Sequence, residues 1–146
     1  MLASILVATP HAAFGELLRI SLEDSGQYQV RLVMSAREAR ASAARSSFQL
    51  AILDAALTDE VFASLCTDIL EMQKGIRLIV VPPDNNPNHP SLGGLLPHGY
   101  LSRPFYLPDL IETVTRLLNQ RRSELHEQKK SSVTLPPWLT EPPVLQ

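Results

Sequence analysis

The sequence predicts an α/β domain built on a doubly wound, five-stranded parallel sheet of strand order 2-1-3-4-5. Three observations predict it. Short apolar runs alternate with stretches of helical period, in the order β-α-β-α-β-α-β-loop-β-α. The runs Ser4–Ala8, Phe48–Asp54 and Ile76–Val81 are dominated by Leu, Ile, Val and Ala, as strands covered on both faces are. Strands that alternate with helices close into a parallel sheet through right-handed crossovers, which place helices on both faces.

Composition bounds the reading. A chain of 146 residues accommodates one domain and a tail. Its 45% apolar content supports a buried core. A net charge of −2, from 13 basic and 15 acidic residues, points to neither nucleic acid nor an anionic membrane as partner. The single cysteine, Cys66, excludes an internal disulfide and fits a cytoplasmic setting. The apolar start at residues 1–8 lacks a basic n-region and is too short to span a membrane, so it reads as a strand.

The elements follow in order. Thr9-Pro10-His11 breaks the first strand. From Ala12 to Leu22, Phe14, Leu17, Leu18 and Leu22 recur at helical spacing opposite Glu16, Arg19 and Glu23. Asp24-Ser25-Gly26 supplies the stop, with glycine as the C′ residue. Tyr28–Met34 alternates as a half-buried edge strand. Ser35 and Glu38 form a capping box for an alanine-rich helix, Ala36–Arg45, whose small face is Ala36, Ala39, Ala43 and Ala44. The strand ending at Asp54 comes next. Thr58 is expected to cap a third helix with Val61, Leu65, Ile69 and Met72 facing inward, and Lys74-Gly75 to end it. Ile76–Val81 is a strand rich in β-branched residues.

Residues 82–97 hold five prolines, three asparagines and two glycines. Proline inside a helix costs about 3 kcal/mol or more. Any helix here is short, at most Ser91–Leu96, so the helix expected between the fourth and fifth strands is shortened or replaced by a loop. Gly99–Ser102 is a short fifth strand, and Arg103-Pro104-Phe105 turns the chain. Pro108 and Asp109 suit the first turn of a final helix, with Leu110, Ile111, Val114, Leu117 and Leu118 as its apolar stripe. Asn119–Lys130 is nearly all polar. Residues 133–146, with two Pro-Pro pairs around Trp138, read as an extended tail. The division is residues 1–120 as the domain and 121–146 as a polar helical extension and proline-rich tail.

A parallel sheet brings the loops after strands 1, 3, 4 and 5 to one end. They carry Thr9, Pro10 and His11; Asp54; Pro82, Pro83 and Asp84; and Arg103 and Pro104. In open α/β sheets ligands bind beyond the carboxyl ends of the strands. An unpaired carboxylate is costly to bury, so Asp54 needs water or a partner there. With Ile5-Leu-Val, Ala51-Ile-Leu-Asp54 and Tyr100-Leu-Ser-Arg-Pro-Phe105 at these places, residues 3–119 resemble the receiver domains of bacterial response regulators, which have the flavodoxin-like fold. The last motif is the most specific, because the family has a lysine followed by Pro-Phe there. The resemblance implies a phosphoacceptor role for Asp54, a histidine kinase as donor, and a cis peptide at Arg103–Pro104.

The supporting residues depart from that pattern. The resemblance implies an acidic pair that holds magnesium after strand 1, where Thr9 and Pro10 stand. It implies a hydroxyl residue after strand 4, where Pro82 stands, and a lysine at Arg103. Magnesium needs an octahedron of oxygen ligands, and Asp54 alone is a weak site for it. Asp84 lies at the same end but does not replace the pair. An Asp54–Arg103 ion pair, with the guanidinium in the space of the phosphate system, is one outcome of these changes. A metal site of His11, His89 and His98 with Asp54 fits no ligand spacing. Cys66 reads as packing. Arg121-Arg122 and Lys129-Lys130 are interleaved with Glu124 and Glu127, as on a solvated helix.

The expectation is therefore a receiver-like module of a two-component phosphorelay, a pseudo-receiver that works by protein–protein contact, with no catalytic residue, metal or other cofactor. Its partner is a signalling protein or histidine kinase, and the long final helix is compatible with a homodimer. The expected contact residues are Leu92, Leu95 and Tyr100 on the remodelled face, and Trp138 in the tail; the alternative is that Leu92, Leu95 and Leu96 cover the gap left by the reduced helix. The alternatives are a working receiver phosphorylated on Asp54 and a small flavodoxin-like ligand-binding domain. The second lacks a Gly-rich phosphate loop after strand 1.

Overall fold

The computed structural model describes residues 2–132. β1 (Ala3–Ala8), β2 (Tyr28–Val33), β3 (Leu50–Asp54), β4 (Arg77–Val81) and β5 (Gly99–Tyr100) form one sheet of order β2-β1-β3-β4-β5, and every pairing is parallel. The expected strand order is observed. β3 and β4 are buried at every position, which is why their sequences lack polar alternation.

Helices cover both faces. α1 (Ala12–Glu23) and α4 (Leu107–Ser132) lie over Ile5, Val7, Leu50, Ile52, Ile79 and Val81. α2 (Ala36–Arg45) and α3 (Phe62–Met72) lie over Leu6, Ala8, Ala51, Leu53, Leu78 and Val80. β1, β3 and β4 thus each feed two cores through alternate residues.

Three inward stripes differ from the expected ones. On α1, Gly15, Leu18 and Leu22 are buried, while Leu17 is 53% exposed. Gly15 fits where a side chain would not: a Cβ there would lie 2.6 Å from Leu32 Cδ1 and 2.9 Å from Thr9 Cγ2. On α2, Ser42 takes the inward place expected of Ala44. On α3 the buried residues are Phe62, Leu65, Cys66 and Ile69, and Val61 and Met72 are exposed. The cause is the helix start. Val61 is the N-cap, with no side-chain cap, so the helix begins later than a Thr58 cap would set it.

The neighbouring Asp59 caps a different helix. Its carboxylate accepts the backbone N–H groups of Ala36 at 2.9 Å and Arg37 at 3.0 Å at the start of α2. Ser35 Oγ accepts the Glu38 N–H at 3.1 Å, so one half of the expected capping box operates; the Glu38 carboxylate meets the Ser35 hydroxyl at 3.3 Å and not its N–H. Asp59 and Ser35 both satisfy donors that a helix start leaves open. The Ala36 and Arg37 N–H donors also hold Asp59 below the usual carboxylate range. Arg40 then joins α2 to the next segment through Glu60, at 2.7 Å, and Asp68, at 2.5 Å.

Between β4 and β5 the chain makes two single turns of 3-10 helix, Pro83–Asn85 and Pro90–Leu92. Proline opens each, as its fixed φ and missing N–H favour. Leu92 is 2% exposed and fills the core beside α3, with Leu95 packed against it. Of the two expected places for these leucines, a contact surface or the gap left by the reduced helix, both take the gap. Leu96 is 88% exposed and Tyr100 39%. The final helix is continuous through Ser132. Among the described residues, no helix is long and apolar enough to cross a membrane.

Candidate functional site

Asp54 ends β3 and is 2% exposed. Its position follows from register: Asp54 is level with Val81, the last residue of β4, and Ala8 of β1 is level with Leu53. The loops that leave these strands therefore converge on one carboxylate.

Three donors hold it. Thr9 Oγ donates to Oδ2 at 2.7 Å, and Arg103 Nη1 donates to the same oxygen at 3.0 Å. The Ala56 N–H donates to Oδ1 at 2.8 Å, a short turn that lets the residue cap its own loop. Thr9 is itself 1% exposed, and its hydroxyl accepts the His11 N–H at 3.1 Å, which fixes its direction. The pair Asp54–Arg103 is electrically balanced. A buried carboxylate without such donors would cost several kcal/mol.

Arg103 is positioned from two sides. Asn85 clamps its backbone, accepting the Arg103 N–H at 2.9 Å and donating to its carbonyl at 3.2 Å. Asp84 and Asn85 have φ of 51° and 56°, in the left-handed region that these two residue types tolerate best. The guanidinium carbon lies 5.6 Å from the centre of the Phe14 ring, within cation–π range. Phe14 in turn packs edge-on to Phe105 with ring centres 6.0 Å apart. The Arg103–Pro104 peptide is cis.

The other expected site residues stand further out. Pro82 is buried at the end of β4 and offers no hydroxyl. Pro10, His11, Asp84 and Pro104 are exposed, and neither His11 nor Asp84 is hydrogen bonded to Asp54. Trp138 lies outside the described residues. Sequence reasoning missed Asn85, Phe14 and Ala56. An asparagine beside an aspartate in a proline-rich loop is a signal for left-handed backbone, but not for the residue it clamps.

The residues present do not fit magnesium. Both Asp54 oxygens are engaged by protein donors, and one of them by a cation. Thr9 offers a hydroxyl that already donates to Asp54, and Pro10 offers no ligand. Among the described residues, no three His, Cys, Asp or Glu side chains converge on a common point. What the arrangement can do is hold the loops after strands 1, 3 and 5 together through one ion pair.

No protein-family model matches the chain, and no curated protein matches its sequence. Solved structures do resemble it. A CheY-like response regulator receiver domain from Methanospirillum hungatei is 24% identical with a TM-score of 0.73, over 85% of this chain and 99% of that one. The signal receiver domain of an HD domain-containing protein from Pseudomonas fluorescens is 19% identical with a TM-score of 0.76, over 86% and 93%. NtrX from Brucella abortus is 19% identical with a TM-score of 0.76, and 93% of this chain matches 31% of that longer one. The fold of this chain is that of the CheY-like receiver domains.

Proposed function

We propose that the chain is a receiver-like module of two-component signalling that acts through contacts with partner proteins, with Asp54 held in an ion pair instead of serving as an efficient phosphoacceptor. The receiver fold and the place of Asp54 at the carboxyl end of the central strand support the signalling assignment. The three donors on the Asp54 carboxylate carry the rest of the reading.

Phosphoryl transfer to a carboxylate needs one oxygen free to attack phosphorus in line with the leaving group. Here Oδ2 would have to give up the Thr9 hydroxyl and the Arg103 guanidinium. The incoming phosphoryl group is anionic and needs cationic support. Arg103 could give it only by abandoning Asp54, and among the described residues no group of three His, Cys, Asp or Glu side chains is present to recruit a metal ion. Pro82 supplies no hydroxyl for the phosphoryl oxygens. Partner binding then falls to surfaces such as the one around Leu96, Tyr100 and Tyr106, which are exposed beside β5. A histidine kinase or another signalling protein is the partner class that the fold suggests.

The test is intact mass after incubation with acetyl phosphate and magnesium, beside an Asp54→Ala control, with folding followed by circular dichroism. No mass gain on a folded protein is the expected result. A phosphoryl-sized gain that disappears in Asp54→Ala would overturn the reading in favour of a working receiver.

A further inference from the structure

At the amino end of the sheet, opposite Asp54, Arg77 opens β4 on the face covered by α4. It is 6% exposed. Glu124 Oε1 approaches its Nη2 to 2.5 Å, but the contact lacks hydrogen-bond geometry. Among the described residues, no acceptor is bonded to Arg77 Nε, to Arg77 Nη2 or to Arg121 Nε, and all three atoms are buried. Burial and the charge of Arg77 together lower the pKa of Arg121. Glu124, with its side chain 66% exposed, answers one of two neighbouring cations. The cluster thus carries surplus positive charge and open donors, which is an expensive arrangement for a protein interior.

Beside the cluster lies a cavity of about 560 Å³. Arg121 and Arg122 line it together with Asn119, Gln27, Gln49 and Tyr28. Its polar lining is rich in N–H donors and lacks any carboxylate. We propose that this cavity binds a small oxyanion-bearing ligand, with a phosphate or carboxylate head held by the Arg121 guanidinium, Arg77 behind it and Arg122 at its edge. A guanidinium presents paired donors that match two oxygens of such a head. The site is separate from Asp54 and independent of its chemistry.

The test uses the full chain, with inorganic phosphate and acetate as the two probe anions and chloride at equal ionic strength as the reference. One of the two probes is expected to raise Tm saturably by a few degrees over chloride. It is also expected to shift the Arg121 Nε–H resonance in ¹H–¹⁵N spectra. The probe that acts identifies the head group as phosphate or carboxylate. Arg121→Gln is expected to weaken binding at least tenfold. Arg121→Lys, which keeps the charge and loses the fork, should weaken it also. Arg116→Gln, an equal charge change on the exposed side of the same helix, should leave it unchanged. Glu124→Gln removes the competing carboxylate from Arg77 and should tighten binding several-fold. No saturable effect over chloride would overturn the proposal, as would equal losses in Arg121→Gln and Arg116→Gln, since binding would then follow net charge alone.

Discussion

Replacing Arg103 by methionine removes the guanidinium from Asp54 while keeping a flexible chain over Phe14. Removing one partner of a fully buried ion pair costs about 3–5 kcal/mol, because the other charge is left uncompensated. Here the burial is one-sided. The Asp54 side chain is 3% exposed, but that of Arg103 is 36% exposed, so solvent already screens the pair. Asp54 also keeps the Thr9 hydroxyl and the Ala56 N–H. Discounting for both, the loss in Arg103→Met is about 1–2 kcal/mol, or roughly 4–10 °C in Tm for a domain of this size. Asp54→Ala leaves Arg103 free to turn toward water, and its own cost comes from the Thr9 hydroxyl and Ala56 N–H that it strands. In that background no carboxylate is left uncompensated, so adding Arg103→Met should cost little. Urea denaturation of the four proteins gives the coupling energy directly. A coupling within about 0.5 kcal/mol of zero, the usual scatter for independent sites, would refute the claim that Arg103 neutralises Asp54.

Three further outcomes follow from other parts of the fold. Gln73 accepts the Phe48 N–H at 2.7 Å and donates to the carbonyls of Ala43 and Ser46 at 2.7 and 2.6 Å, so Gln73→Ala should lose about 2 kcal/mol in urea denaturation. His98 Nδ1 accepts the Leu78 N–H at 3.0 Å, which requires the unprotonated ring, and burial followed by the nearby Arg77 charge lowers its pKa from 6.5. Because the unfolded chain then binds the proton more tightly, the His98 contribution is complete above pH 6.5 and is lost as pH falls through the lowered folded value; Tm measured from pH 7.5 to 5 should fall more steeply than in His98→Gln, which does not titrate. Burial pushes the Cys66 thiol up to about 12, so Ellman's reagent at pH 8 should label it only in denaturant; rapid labelling of the native protein would contradict its place in the core.

The parts of this fold that were legible in the sequence are those set by local pattern. Strands buried on both faces announce themselves as unbroken apolar runs, and alternation with helices leaves few sheet orders open. Ser35 and Glu38 declare a helix start within four residues. The α3 stripe was harder. Val61, Leu65, Ile69 and Met72 fit a helical period as well as Phe62, Leu65, Cys66 and Ile69 do, and only the helix start chooses between them. Asp59, just before that start, turns away to cap α2, a tertiary contact that no local period encodes.

The site divides in the same way. Asp54, Thr9 and Arg103 were legible because parallel topology forces the ends of their strands together. A long cation beside a buried carboxylate then has one favourable place to go. Asn85 and Phe14 were not legible, since each acts on Arg103 across a long stretch of chain: one through its backbone and one through its guanidinium. They converge on one side chain: Arg103 is clamped at its backbone, set over a ring and bonded to Asp54. Gly15 tightens the arrangement further, because its missing Cβ lets α1 press against Thr9. Thr9, Arg103, Phe14 and Asn85 therefore act together: two of them bond the Asp54 carboxylate and two hold Arg103, so the carboxylate anchors a joint between loops.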